Sequence, residues 1–412
     1  MSSYRWLSLP LGTWVPAFVA AVLVLQACAP TRQESAGGAQ PASAPAAPAT
    51  ASNVAAVPGL PADWEQQWSA LVAAAQREGT VVVYGPPTPE VRARLPEAFK
   101  KRFGIDMEYN GLEGGAYSAR LASERAAGVY AADAAINGSD SMYRILAAEG
   151  KITDGVMGML VPLRPLLILP EVLDASKYRN GKLWFMDPQE QYILRIANYW
   201  NTPLLVNSQY VQPASLTSWQ DLLKPDYRGK IVSYDPTIAG AAVGQAAYLY
   251  GLFGDDYVRQ LYGTQAFLSR DHRQSADLLA RGSHPISIAL QSQESDRIMK
   301  EVPSIVMIPG LPDGPGYTAG GYGLVGVFDR APHPNAARLF ANWIASREGS
   351  QLLQDTNREL STRNDVDVST FRDSDAPKPG VDYLDSYGWD FVLQKRVKAQ
   401  ADLREILGRR GS

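Results

Sequence analysis

The chain has 412 residues, 46% apolar and 20% charged, a globular composition that excludes wholesale disorder and a length that suits two lobes. Its net charge is −3 and no basic run interrupts it, so the electrostatic footprint of a nucleic-acid binder is excluded. The only cysteine is Cys28, so the body beyond it has no disulfide, no Cys-based metal site and no thiol nucleophile.

Near the N-terminus, Arg5 supplies a thin positive region, and Trp14 to Ala27 is uncharged and rich in Ala, Val and Leu. This stretch is shorter than the roughly 20 residues a membrane-spanning helix needs, and it fits the apolar region of a signal peptide. It ends at Leu25-Gln26-Ala27-Cys28, which resembles a bacterial lipobox, although a small residue is commoner where Gln26 stands. The resemblance implies cleavage before Cys28 and acylation of its thiol. Without the first 27 residues the balance is 38 basic against 42 acidic residues, or −4. From Ala29 to Pro61 the chain turns to Ala, Pro, Ser, Thr and Gly. A segment so poor in large apolar side chains cannot offset its ordering entropy, and it reads as a tether spanning about 30 Å or more.

The body begins at Asp63. Asp63 and Gln66 have the spacing of a capping box, Trp64, Trp68, Leu71 and Ala75 recur at helical intervals, and Gly79 stops the helix. Three strand-loop-helix units follow. Strand Thr80–Tyr84 leads through Gly85-Pro86-Pro87-Thr88 to a helical stretch that ends at Phe103-Gly104, with Pro96 inside it. Strand Ile105–Tyr109 leads through Asn110 to Gly115 into a helix over Ala116–Ala127. Strand Ala132–Ile136 leads through Asn137-Gly138-Ser139-Asp140 to a helix stopped by Gly150.

After a less regular stretch the same order restarts. Strand Lys230–Tyr234 leads through Asp235 to Gly240 into a helix reaching Phe253. A short strand near Gln265–Ser269 leads through Arg270-Asp271-His272-Arg273-Gln274 to a helix ended by Gly282. Strand Pro285–Leu290 leads through Gln291-Ser292-Gln293 to a helix near Asp296–Lys300. Alternating strand and helix predict parallel sheets, and two such arrays predict two lobes. Ligands of open parallel sheets bind beyond the carboxyl ends of the strands, where all six loops lie and helix N-termini present backbone N–H groups.

Five landmarks then fall in order. They are Val81-Val82-Val83-Tyr84, Ala131 to Ile136, Trp219-Gln220-Asp221-Leu222-Leu223-Lys224-Pro225, Tyr227-Arg228-Gly229-Lys230-Ile231, and Ala331-Pro332-His333-Pro334-Asn335-Ala336-Ala337-Arg338-Leu339-Phe340. The last is followed by Ile344-Ala345-Ser346-Arg347-Glu348-Gly349. From Thr80 to Asp367 the chain resembles the extracellular solute-binding proteins of ABC importers, in the branch of ferric-ion, thiamine and polyamine binders. That resemblance implies two lobes closing on ligand about two crossover strands, here near Ile196–Trp200 and Ser304–Pro309. Ferric-ion members carry a tyrosine pair where this chain reads Gln291-Ser292-Gln293-Glu294. Amides and hydroxyls there suit an organic solute or an oxyanion, so tyrosine-clamped iron is not expected.

Gly321-Tyr322-Gly323-Leu324-Val325-Gly326 matches a dinucleotide fingerprint, but Val327-Phe328-Asp329 and Pro332 after it read as strand and turn, not the required helix. His284 and His333 read as structural or solvated, while His272 sits in a cleft-facing loop. Gly138-Ser139-Asp140-Ser141 is not a nucleophile elbow, and Ser139 can cap a helix or grip ligand. Arg270 and Arg273 flank Asp271, which leaves either an anion site or a local ion pair. Tyr192, Tyr199, Trp200, Tyr317 and Tyr322 cluster near the hinge as packing or as a ligand sandwich. A secreted hydrolase using Glu113 and Asp140, an iron binder with a non-tyrosine site, and a sensor's receptor domain stay open.

The expected fold is α/β: a two-lobed, type II periplasmic-binding-protein-like architecture, each lobe a mostly parallel sheet flanked by helices, with a two-strand hinge. Residues 1–27 read as signal peptide, 28–62 as lipidated cysteine and tether, 63–198 as the first part of lobe 1 and 199–304 as lobe 2. Residues 305–355 return to lobe 1, and 356–412 form a helical or irregular segment packing on the lobes. Ligand contact is expected from Thr88, Glu113, Gly114, Ser139 and Asp140 of the first lobe, and from Thr237, Gly240, Arg270, Arg273, Gln291, Ser292 and Gln293 of the second. Tyr322 joins them at the hinge. No catalytic residue, metal site or cofactor is expected. The expected partners are a small-molecule ligand, the transmembrane subunits of an ABC permease and the membrane, reached by a monomer lipid-anchored through Cys28 outside the cytoplasm.

Overall fold

The computed structural model describes residues 57–112, 114–200, 204–238, 241–308, 310–319, 321–371, 376–377 and 383–408. Cys28, the leader and most of the tether lie outside them, as do Glu113, Gly240 and the side chains of Ser292 and Gln293.

In chain order, the first lobe opens with α1 (Trp64–Glu78), β1 (Thr80–Gly85), α2 (Pro89–Phe103), β2 (Asp106–Gly111), α3 (Gly114–Ala126) and β3 (Ala134–Asn137). A small hairpin, β4 (Ile152–Thr153) and β5 (Val156–Met157), then the short α4 (Pro170–Leu173), precede β6 (Trp184–Phe185), β7 (Leu194–Arg195) and β8 (Ala197–Trp200). The second lobe holds β9 (Leu204–Asn207), β10 (Ile231–Tyr234), α5 (Ala241–Gln260), β11 (Ala266–Ser269), α6 (His272–Ala280), β12 (Ile286–Ile288), α7 (Ser292–Glu301) and β13 (Ile305–Ile308). The chain returns through β14 (Tyr317–Ala319) to β15 (Leu324–Val327), α8 (Pro334–Ala345), α9 (Arg347–Asn357) and β16 (Leu360–Ser361), and finishes with β17 (Leu384–Asp385) and α10 (Arg396–Gly408).

The two large sheets share one plan. In the first, ordered β2-β1-β3-β15-β7-β6, three parallel strands meet the antiparallel β15; in the second, ordered β11-β10-β12-β9-β13, three parallel strands meet the antiparallel β9. Continuous apolar runs form these strands because both faces are covered. Val81 and Val83 of β1 enter one core while Val82 and Tyr84 enter another, and in β9 Leu204 and Val206 part from Leu205 in the same way. Each such burial contributes about 1.5–3 kcal/mol.

Several expectations are corrected. Asp63 does not cap α1 with its side chain; its carboxylate accepts from the Gln67 amide at 2.9 Å instead. Pro96 leaves α2 unbroken, and α5 runs on to Gln260 past a kink at Gly254, whose φ of 76° suits only glycine well. The helix expected up to Gly150 is a π-helical turn over Ser141–Leu146 followed by a 3₁₀ turn. The second crossover is not at Ser304–Pro309. Ile305–Ile308 is apolar throughout and pairs with β9 as an edge of the second sheet; the strand that crosses beside β8 is β14, with Thr318 opposite Trp200 and Ala319 opposite Tyr199. The chain also crosses a third time, because Tyr387 and Val392 enter the first lobe's core while Leu403 and Leu407 of α10 enter the second's.

The most specific landmark is a joint between distant segments. Oδ2 of buried Asp133 accepts from Val82 N at 2.7 Å and lies 2.9 Å from His333 Nδ1, while Oδ1 accepts from His333 N at 2.7 Å. Glu78 accepts from Asn335 N, Ala336 N and the Asn335 amide, closing the first turn of α8. His333 is therefore structural.

Candidate functional site

The parallel strands of each large sheet end in loops that start helices. After β1, Thr88 is the N-cap of α2; its hydroxyl donates to Asn357 Oδ1 at 3.0 Å instead of capping the helix. Gly114 opens α3 after β2. After β3, Ser139 is buried and Gly138 lies so near Gly321 that a Cβ there would stand 2.8 Å from the Gly321 carbonyl oxygen. Asp140 is taken up by cations of the same chain, Arg144 at 3.4 Å and Arg396 at the start of α10.

In the second lobe, Asp235 after β10 organises two of the expected residues. It accepts the Thr237 N–H at 2.9 Å, the Thr237 hydroxyl at 2.6 Å and Arg270 Nε at 2.9 Å. The Thr237 carbonyl accepts from Gln400 and Arg404, so α10 reaches this loop as well as Asp140. The partner of Arg270 is thus Asp235, whereas Asp271 caps α6 by accepting from Arg273 N and Gln274 N. Arg273 is exposed, with Asp277 at 3.8 Å. His272 stacks on Tyr234 with ring centroids 3.9 Å apart and planes within 10°, and its Nδ1 accepts from Gln291 N at 3.4 Å. Burial pushes the His272 imidazole below its usual range, in keeping with a neutral ring that stacks and accepts. Gln291 is exposed at the N-cap of α7, and its own side chain does not cap the helix.

The aromatic cluster near the hinge divides. Trp200 packs edge-on against Trp184 and Tyr383, Tyr317 packs against Tyr248, and the Tyr192 hydroxyl donates to Gly155 O; these are framework contacts. Tyr322 is half-buried on the turn that enters β15, so the Gly321–Gly326 motif opens a strand and not the helix a dinucleotide requires.

Sequence reading missed the residues beneath that turn. Glu359 is fully buried; its Oε1 accepts from Tyr322 N at 2.7 Å and from Asn357 Nδ2 at 2.6 Å. Asn357 thereby connects Thr88 to Glu359, which holds Tyr322 directly. No local spacing marks this set, because Thr88, Tyr322 and Asn357 meet only when three segments fold together. Burial pushes the Glu359 carboxyl up to about 7, against the two hydrogen bonds and the charge of Arg195.

A pH dependence of stability follows. The folded protein binds the Glu359 proton more tightly than the unfolded chain does, so this contribution is fully present below about pH 4.5 and is lost as pH rises to about 7, on the order of 3 kcal/mol in all. His272 acts oppositely, its contribution being lost as pH falls, but equally in wild type and in Glu359→Gln. Urea unfolding across this range should show the variant losing distinctly less stability than wild type on going from acid to neutral pH. Parallel profiles would contradict the assignment.

Residues 84–351 match the family described as bacterial extracellular solute-binding protein. Among solved structures, the iron-bound HitA of Pseudomonas aeruginosa aligns with a TM-score of 0.57 at 18% identity, covering 79% of this chain and 99% of that one. The Trichodesmium protein IdiA (FutA), in complex with iron and citrate, aligns with the same TM-score and identity over 81% and 99%. AfuA of Actinobacillus pleuropneumoniae, with fructose-6-phosphate bound, aligns with a TM-score of 0.52 at 18% identity over 81% and 97%. An uncharacterized protein of Haemophilus influenzae is 26% identical over 138 residues, 32% of this chain and 38% of that relative. These structural likenesses carry the fold, and the family match covers well over half of the sequence. The two-lobed chain belongs to the bacterial extracellular solute-binding proteins.

Proposed function

We propose that this chain is a lipid-anchored receptor outside the cytoplasm that captures a small, polar, partly anionic solute between its lobes and delivers it to an ABC import permease. The observation that carries the reading is the family match over a fold whose two sheets, built to one plan, end in helix-starting loops. The side chains of Thr88 and Gln291 do not cap the first turns of α2 and α7, and a helix N-terminus favours an anion by about 0.3–1 kcal/mol. Arg273 is the better counter-charge, since Arg270 is already held by Asp235 at 2.9 Å while the partner of Arg273 stands at 3.8 Å. Asp140 is neutralised by Arg396 and Arg144, so it suits neither a cationic solute nor a general acid in a hydrolase.

A thermal-shift screen of carboxylates, phosphoesters, amines and ferric citrate tests this. Anions should raise the melting temperature, and Arg273→Ala should cost about tenfold or more in affinity for them, the loss of one charge-assisted contact. Ferric citrate should leave the protein colourless, because tyrosinate–iron sites absorb visible light. Stabilisation by amines alone would reverse the sign of the site, and a coloured protein that retains iron would make it an iron binder.

A further inference from the structure

Glu359 is built into the hinge in a way that solute capture alone does not explain. It follows α9 and leads into β16, directly below the turn that carries Tyr322. Gly321 rests on the carboxylate so closely that a Cβ would lie 2.2 Å from its atoms, so the turn and the carboxyl group are in contact over backbone as well as through the Tyr322 N–H. The Tyr387 hydroxyl fixes the other side of the turn by donating to the Gly321 carbonyl at 2.7 Å. Among the described residues the second carboxylate oxygen, Oε2, has no hydrogen-bond partner, and neither do Nε and Nη2 of Arg195 or Oδ1 of Asn198; all four atoms are buried.

The groups that face Glu359 are few among the described residues. From β7 comes Arg195, fully buried between the rings of Trp184 and Tyr387 at 4.9 Å and 4.8 Å, with its Nη1 engaged 3.0 Å from Asp385 on β17. From the segment after β17 comes the Tyr387 phenol, and behind it lies the Tyr143 phenol; burial raises both far above the range in which a carboxyl titrates. Glu359 is thus an acid able to change charge near neutrality in this cluster, and one of its oxygens holds both a hinge backbone and, through Asn357, the Thr88 side chain.

We propose that Glu359 is a proton-responsive positioning residue for the first lobe's wall of the cleft: ionised, it holds Tyr322 and Thr88 in place, and protonated, it lets the turn at Gly321–Gly323 loosen. An ionised acceptor makes the stronger bond to a backbone N–H, and a proton on the carboxyl weakens that bond. Acid therefore stabilises the whole fold, as derived above, while it loosens this one turn. The inference rests on the reading of Thr88 and Tyr322 as solute-facing residues.

Amide hydrogen exchange of the full chain, with the Tyr322 amide followed by mass spectrometry and corrected for the intrinsic rate at each pH, tests it without any solute. Protection should be at least about fivefold higher at about pH 8 than at about pH 6 in wild type. In Glu359→Gln, whose amide oxygen accepts the same bond at every pH, it should change by less than about twofold. Wild-type protection that does not vary with pH overturns the proposal even if the variant fails to fold. An undiminished pH dependence in a folded variant overturns it equally. Because no solute is used, a negative result here is distinct from a failed solute screen.

Discussion

Replacing Asp133 with alanine is expected to destabilise the protein by roughly 3–5 kcal/mol, enough to unfold a marginally stable lobe. Its two oxygens serve three donors: Val82 N in the centre of β1, His333 N ahead of α8, and the His333 ring. Alanine leaves these without their acceptor in a place where the carboxylate itself is fully buried, and each orphaned donor costs about 1–3 kcal/mol. Urea unfolding followed by tryptophan fluorescence measures the loss. Asp133→Asn keeps one oxygen acceptor and should fall between wild type and Asp133→Ala. An alanine variant within about 1 kcal/mol of wild type would show that the joint between β1, β3 and α8 is held by packing alone.

An all-or-none result is expected at Cys28. With Leu25-Gln26-Ala27 before it, the thiol is the acyl acceptor of the lipobox reading, and stable anchoring takes more than one acyl chain or a second signal. Cells given labelled palmitate should incorporate it into the wild-type protein and not into Cys28→Ser, and the processed wild type should fractionate with membranes. A serine variant that keeps the same size, the same fraction and the same label would remove the anchor from the proposed function.

How much of the molecule was legible in its sequence follows from the range of the forces involved. The order of strand and helix in both lobes could be read because each unit is local: a run such as Val81-Val82-Val83-Tyr84 needs burial on both faces, and Gly79 and Gly104, at φ of 76° and 72°, end α1 and α2 where Cβ-bearing residues fit poorly. The loops that start helices were legible for the same reason, Thr88 and Gln291 among them. Hinge placement was not, because Ile305–Ile308 and Tyr317–Ala319 both read as strands, and only pairing partners tell a sheet edge from a crossover. The partner of Arg270 was not legible either. Asp271 adjoins Arg270 in sequence, yet it turns to cap α6, and Arg270 finds Asp235, 35 positions away.

By itself, then, the sequence determined the two α/β arrays and the loops beyond their strands, since apolar runs, helical burial patterns and glycine punctuation are properties of neighbours along the chain, while its five ordered landmarks carried the resemblance to the family. Tertiary structure alone decided which of those loops remain free. It sent α10 across both lobes to occupy Asp140 and the Thr237 carbonyl, and it brought Thr88, Tyr322, Asn357 and Glu359 together beneath the hinge. The physical reason is that a carboxylate's partners and its degree of burial are set by whichever distant segments close over it, and neither quantity has a period that a linear chain can display.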